Sequence, residues 1–96
     1  MSIVIRFKPQ NLTKETYDNA SAKIEEKLDW PPDGLDYHVC FGEDGDLKVS
    51  EIWDSREQCE AFQEKLMPVL QEAGVQIGDE MPEIYEVHGL EKRGGS

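Results

Sequence analysis

The chain predicts an α+β domain with the element order β-α-β-β-α-β, on three observations. Two apolar stripes recur at helical spacing, one before and one after a central pair of strand-like runs. Those runs flank Asp44-Gly45, the strongest short-range hairpin signal in the chain. Runs rich in β-branched and aromatic residues sit near both ends, at residues 3–7 and 84–88. This order is the split-βαβ, or ferredoxin-like, arrangement: a four-stranded antiparallel sheet with two helices on one face. Right-handed crossovers place strands one and three in the centre.

Each element has its own warrant. Ile3, Val4, Ile5 and Phe7 make a first strand stopped by Pro9. Thr13 is a helix N-cap with Glu15 in the first turn, and Tyr17, Ala20, Ile24 and Leu28 form the apolar stripe of a helix over residues 14–28. Residues 30–34, Trp-Pro-Pro-Asp-Gly, break the chain into a loop. Strands two and three are expected at 35–41 and 47–53. Two overlapping capping boxes follow, Asp54 with Glu57 and Ser55 with Gln58. Helix two carries Cys59, Phe62, Leu66, Val69, Leu70 and Ala73 on one face; Pro68 predicts a kink near residues 65–67, and Gly74 suits the helix end. Residues 75–82 read as a loop punctuated by Gly78. A single domain over residues 1–90 is expected, with 91–96 as a flexible polar tail.

Ninety-six residues suffice for one small core, and a domain of this size often pairs with a second copy. Residues of both parities in strands one and three are apolar, so the sheet face away from the helices predicts a homodimer packed sheet against sheet. The net charge of −11, with 21 acidic against 10 basic residues, disfavours nucleic acid as a partner. No basic amphipathic helix and no long apolar run suggests a membrane. Cys40 and Cys59 lack metal or redox spacing, and the first residues lack a signal-peptide core, so a reduced, cytoplasmic protein is expected. No phosphate loop, calcium loop or nucleophile elbow is present, and two histidines make a weak metal case; no cofactor is expected.

The hairpin holds the candidate site. A two-residue Asp44-Gly45 loop pairs Glu43 with Asp46, Cys40 with Val49, His38 with Glu51 and Asp36 with Trp53. His38, Glu51 and Trp53 then share one face. A five-residue loop over residues 42–46 is the competing register and separates His38 from Trp53. In the shorter-loop register Glu51 orients His38 as a general base, and Trp53 bounds or stacks on a substrate ring. The same residues also fit a half-buried histidine satisfied by its neighbour and a tryptophan that plugs the core. Tyr17, Phe62, Met67 and His88 are further candidates for lining a pocket between sheet and helices. His88 equally suits a dimer seam.

The pattern Pro32-Asp33-Gly34-Leu35-x-x-His38, the Glu43-Asp44-Gly45-Asp46 turn, Val49-x-x-Ile52-Trp53-x-Ser55, Phe62-x-x-x-Leu66-Met67-Pro68 and Gly74 resembles the small dimeric α/β-barrel proteins. Within them it is most similar to an uncharacterised branch of the antibiotic-biosynthesis-monooxygenase-like group, over residues 3–88. The resemblance implies a ferredoxin-like subunit, a homodimer through its sheet faces and a cavity in each subunit. It also implies cofactor-free oxygenase or isomerase chemistry on a small aromatic ligand. Quinol-oxidising and haem-degrading relatives resemble one another in placing a histidine on the helix after the Trp-containing strand. Here that place is Phe62-Gln63 and helix two has no histidine. A non-catalytic dimer that binds a ligand or serves a structural role is the alternative, and an acidic module for a basic protein partner is a third.

Overall fold

A computed structural model describes residues 2–76 and 81–91. It contains β1 (Ile3–Phe7), α1 (Lys14–Lys27), β2 (Leu35–Glu43), β3 (Asp46–Trp53), α2 (Arg56–Glu72) and β4 (Glu83–Glu86), in the predicted order. All neighbouring strands are antiparallel, ordered β2-β3-β1-β4. Residues 77–80 of the predicted loop, including Gly78, and residues 92–96 of the predicted tail lie outside the described residues. No described helix is long and apolar enough to cross a membrane.

The hairpin adopts the two-residue loop. Glu43 faces Asp46, Cys40 faces Val49 and His38 faces Glu51. Gly45 takes the positive φ the turn needs. Gly42 also lies at φ +113°, and a Cβ there would come within 2.9 Å of the Asp46 carbonyl oxygen. The expected Asp36–Trp53 pair does not form. A register shift between Leu35 and Tyr37 sets Leu35 opposite Trp53 and leaves Asp36 exposed. The cause is desolvation: Trp53 is fully buried, and a carboxylate beside it would lose its water, whereas Leu35 packs against the core.

Cross-strand rows separate the two faces. Ile84–Ile5–Glu51–His38 and Ile3–Trp53–Leu35 look toward the helices. Tyr85–Val4–Ile52–Tyr37 and Glu83–Arg6–Ser50–Val39 look away. Ile3, Ile5 and Trp53 form the core with Cys59, Phe62 and Leu66 of α2, while Ile24 and Leu28 of α1 pack at its edge.

Thr13 caps α1 as predicted, its hydroxyl accepting from Thr16 N–H at 3.0 Å. Ser55, not Asp54, caps α2, accepting from Gln58 N–H at 3.2 Å; the Asp54 N–H instead donates to Gly34 O. α2 is assigned as one helix through Pro68. β4 stops two residues short of the expected end. Ile3 faces Glu86, and just beyond it the Val87 N–H reaches Ser2 O. His88 therefore lies outside the sheet and is exposed.

Asp44 does more than turn the hairpin. Its Oδ1 accepts from Lys14 N–H at 2.9 Å, placing a carboxylate at the N-terminus of α1, and Leu47 N–H donates to Leu12 O. Asp44→Ala is expected to lower stability by about 0.5–2 kcal/mol in urea unfolding, and Asp44→Asn by less, since it keeps the acceptor. Equal stability of Asp44→Ala and the parent would contradict this cap.

Burial, reinforced by the nearby Glu51 and Glu60 charges, pushes the Cys59 thiol up to about 11 from 9.0. A folded-state value above the unfolded one contributes stability fully below pH 9, which is lost as pH rises towards 11. Stability should fall across that window more in the parent than in Cys59→Ala. In the native protein the partly exposed Cys40 should react with a thiol reagent before the buried Cys59.

Candidate functional site

Between the two helices and the sheet lies a cavity of about 540 Å³, a size suited to a small multi-ring molecule. Its wall is mainly apolar, from Phe7, Leu12, Ile24, Trp30, Val49, Leu66 and Leu70 among others. Its polar lining residues are Lys8, Tyr17, Ser21, Glu25, His38, Glu51 and Gln63.

Three of these groups are joined in a chain. Glu51 is buried, at 4% exposure, on central strand β3. Its Oε1 accepts from Trp53 Nε1–H at 3.1 Å, and its Oε2 lies 2.6 Å from His38 Nδ1. His38 Nε2 lies 2.7 Å from the Tyr17 hydroxyl. The donor roles follow from the end groups. The indole can only donate, so the carboxylate accepts there and also takes Nδ1–H. In the tautomer with the proton on Nδ1, Nε2 is an acceptor for the Tyr17 O–H. Burial is the largest influence on the Tyr17 phenol and raises its pKa above 10.0, with nearby Cys40 and Glu51 acting in the same direction. Tyr17 is thus a protonated donor at neutral pH.

Aromatic rings brace this chain. Trp30 meets His38 edge-on with ring centres 5.2 Å apart, and Tyr17 stacks against the same imidazole at 6.1 Å. Phe62 bridges Trp30 and Trp53 at 6.1 and 5.7 Å. The contacts close a circuit from Trp53 through Phe62, Trp30, His38 and Glu51 back to Trp53. Such a ring holds the imidazole in one orientation and limits water around it.

The residues expected at a site therefore divide. His38, Glu51, Tyr17 and Met67 all border the cavity. Trp53 does not: it is fully buried, with its indole face in the core and its N–H on Glu51. Phe62, 7% exposed, fills the layer behind Trp30. His88 is exposed beyond the end of β4, away from the cavity wall. The ring at the wall belongs to Trp30, from the breaker loop over residues 30–34. Gln63 was also missed. Its Nε2 is buried without a hydrogen-bond partner, which costs on the order of 1–3 kcal/mol. Its signal was a polar residue in helical register with Leu66, Met67 and Leu70. No group of three His, Cys, Asp or Glu side chains among the described residues could hold a metal ion.

No family model matches the chain, and no curated protein matches it by sequence. Solved structures do. A candidate antibiotic biosynthesis monooxygenase from Chloroflexus aurantiacus J-10-fl aligns with a TM-score of 0.60 and 21% identity, over 98% of this chain and 100% of that one. A conserved protein from Methanosarcina mazei Go1 gives 0.58 and 17%, over 90% and 92% of the two chains. SnoaB, a cofactor-independent oxygenase from Streptomyces nogalater, gives 0.51 and 11%, over 97% and 95%. At these identities the likeness concerns the fold: the chain carries the ferredoxin-like α+β fold of antibiotic-biosynthesis-monooxygenase-like structures.

Proposed function

We propose that the cavity binds a small aromatic ligand bearing an ionisable hydroxyl, and that Tyr17, His38 and Glu51 take a proton from it. The observation that carries this reading is the unbroken chain from the Tyr17 hydroxyl through His38 to Glu51, beside an otherwise apolar cavity. The ligand hydroxyl donates to the Tyr17 oxygen as the Tyr17 proton moves to His38 Nε2. The resulting imidazolium is held by the Glu51 carboxylate through Nδ1–H. Glu51 is a positioning residue that holds the imidazole through Nδ1. SnoaB, of the same fold, is a cofactor-independent oxygenase. Neither Trp53 nor His88 has a direct part in this scheme.

Pairing of two copies through the open sheet face is also proposed. Tyr37, Val39 and Tyr85 are 41%, 50% and 59% exposed there, beside the partly buried Val4, Phe41 and Ile52. Sedimentation should give twice the chain mass of 11.0 kDa, and Val39→Lys should shift the population to monomer. A monomeric parent at micromolar concentration would rule this pairing out.

The relay is tested with 2-naphthol, whose ionisation is visible by absorbance. Bound to the parent protein, it should ionise at lower pH than in water. His38→Ala and Tyr17→Phe should each abolish that displacement while the ring still binds. Any oxygen uptake or isomerisation found with such substrates should fall by about 10²–10⁴-fold in His38→Ala. An unaltered naphthol titration in the presence of the parent, or undiminished turnover in His38→Ala, would remove the base from this position.

A further inference from the structure

We infer that Asp33-Gly34 is a site of spontaneous isoaspartate formation, and that the Asp44–Lys14 hydrogen bond guards the second Asp-Gly peptide, Asp44-Gly45, from the same reaction. This modification is independent of the ligand reading of the cavity.

The chemistry needs no cofactor. A glycine has no side chain to hinder its amide nitrogen, so that nitrogen can approach the carboxyl carbon of the preceding aspartate. A bond forms from Gly N to Asp Cγ; the amide hydrogen and a carboxyl hydroxyl leave as water, and a succinimide ring closes. Water then reopens the ring. Attack at Cγ restores aspartate, whereas attack at the main-chain carbonyl leaves the chain running through Cβ and Cγ. Atoms balance over the two steps, since the water lost is the water regained. The aspartate carboxyl must be free to swing onto its own backbone.

The local backbone does not separate the two peptides. Gly34 lies at φ +92° and Gly45 at +90°, and neither aspartate has a positive φ. The carboxylates differ. Asp44 Oδ1 accepts from Lys14 N–H at 2.9 Å and must give up that bond to cyclise. Asp33 is exposed between α1 and β2, and its carboxylate has no hydrogen bond or ion pair among the described residues. Its turn is closed by Leu35 N–H on Pro32 O at 3.2 Å and by Asp54 N–H on Gly34 O at 2.8 Å. Neither bond occupies the carboxyl or the Gly34 nitrogen that react.

Conversion adds an atom to the main-chain path between Trp30 and Leu35. Trp30 meets His38 at 5.2 Å and Leu35 packs against the core, so the change would loosen the loop that brings the indole to the cavity.

The parent, incubated for weeks at neutral pH and body temperature, is digested and its peptides are fragmented by electron transfer, which distinguishes isoaspartate from aspartate. Residue 33 should carry roughly tenfold more isoaspartate than residue 44, the ratio that one charge-assisted hydrogen bond supports. Lys14→Pro frees Asp44 and suits the fold. Lys14 is the first residue of α1, and Thr13 before it already has the extended φ −96° and ψ 162° that precede proline. In this variant conversion at residue 44 should rise to the level of residue 33. Asp33→Glu, which would need a larger ring, should lose the signal at 33; Gly34→Ala is unsuitable because its Cβ would meet Gln58 at 2.6 Å. The converted fraction of the parent should melt below the unconverted one, and an unchanged melting temperature would overturn the link to the loop. In the parent alone, no isoaspartate at 33, or as much at 44, would overturn the assignment. A folded Lys14→Pro protein with residue 44 still unconverted would overturn the guarding role of the bond.

Discussion

The structure depends on one buried carboxylate. Glu51 sits on the central strand β3 beside Ile5, in a row otherwise made of apolar side chains and His38. A carboxylate there is tolerated only if both oxygens are satisfied, since an unpaired buried charge costs several kcal/mol. Trp53 supplies one partner from two residues along the same strand, and His38 supplies the other from the neighbouring strand. Each partner then fixes something larger. Trp53 is held against Phe62 and thereby against α2, while His38 reaches Tyr17 and thereby α1. The polar chain thus ties the sheet to both helices at the wall of the cavity.

The cavity itself follows from how α1 is held. Lys23 and Lys27 both reach Glu72 near the end of α2, and Asp44 from the hairpin tip holds the start of α1. Exposed ion pairs of this kind contribute little on their own. They add to the packing of Ile24 and Leu28 at the core edge. The helix is therefore anchored at its ends and along one stripe, and the space beside Tyr17 and Ser21 stays open. A closely packed interface would have filled that space with side chains at interior density. Here the Tyr17–His38–Glu51 chain borders that space.

Much of the site was legible because β-pairing is local. The Asp44-Gly45 turn determines which residues oppose one another, so His38 facing Glu51 followed from turn chemistry. The same rule failed at Asp36, eight residues before Asp44. A bulge turns Asp36 to solvent and brings Leu35 to Trp53, because side-chain burial outweighs register continuity where the strand meets the core. The two tryptophans show the limit more sharply. Trp53, in a strand beside the candidate base, fits either a core plug or a substrate platform by sequence, and its indole is sealed in the core. Trp30, in a Pro-rich loop, brings its ring to His38 and the cavity.

From the chain alone came the element order, the cap at Thr13 and the sheet topology, with Ser55 as one of two overlapping caps and the His38–Glu51 pair as one of two hairpin registers. Each rests on residues close in sequence or on the period of a strand or helix, and that physics acts before the chain has folded. Tertiary structure decided that Tyr17 completes the chain at His38, that Trp30 replaces Trp53 at the wall and that Gln63 is left without a partner. Those facts depend on how far two helices stand from a sheet. That distance is set by the summed packing of residues distant in sequence, which no local pattern encodes.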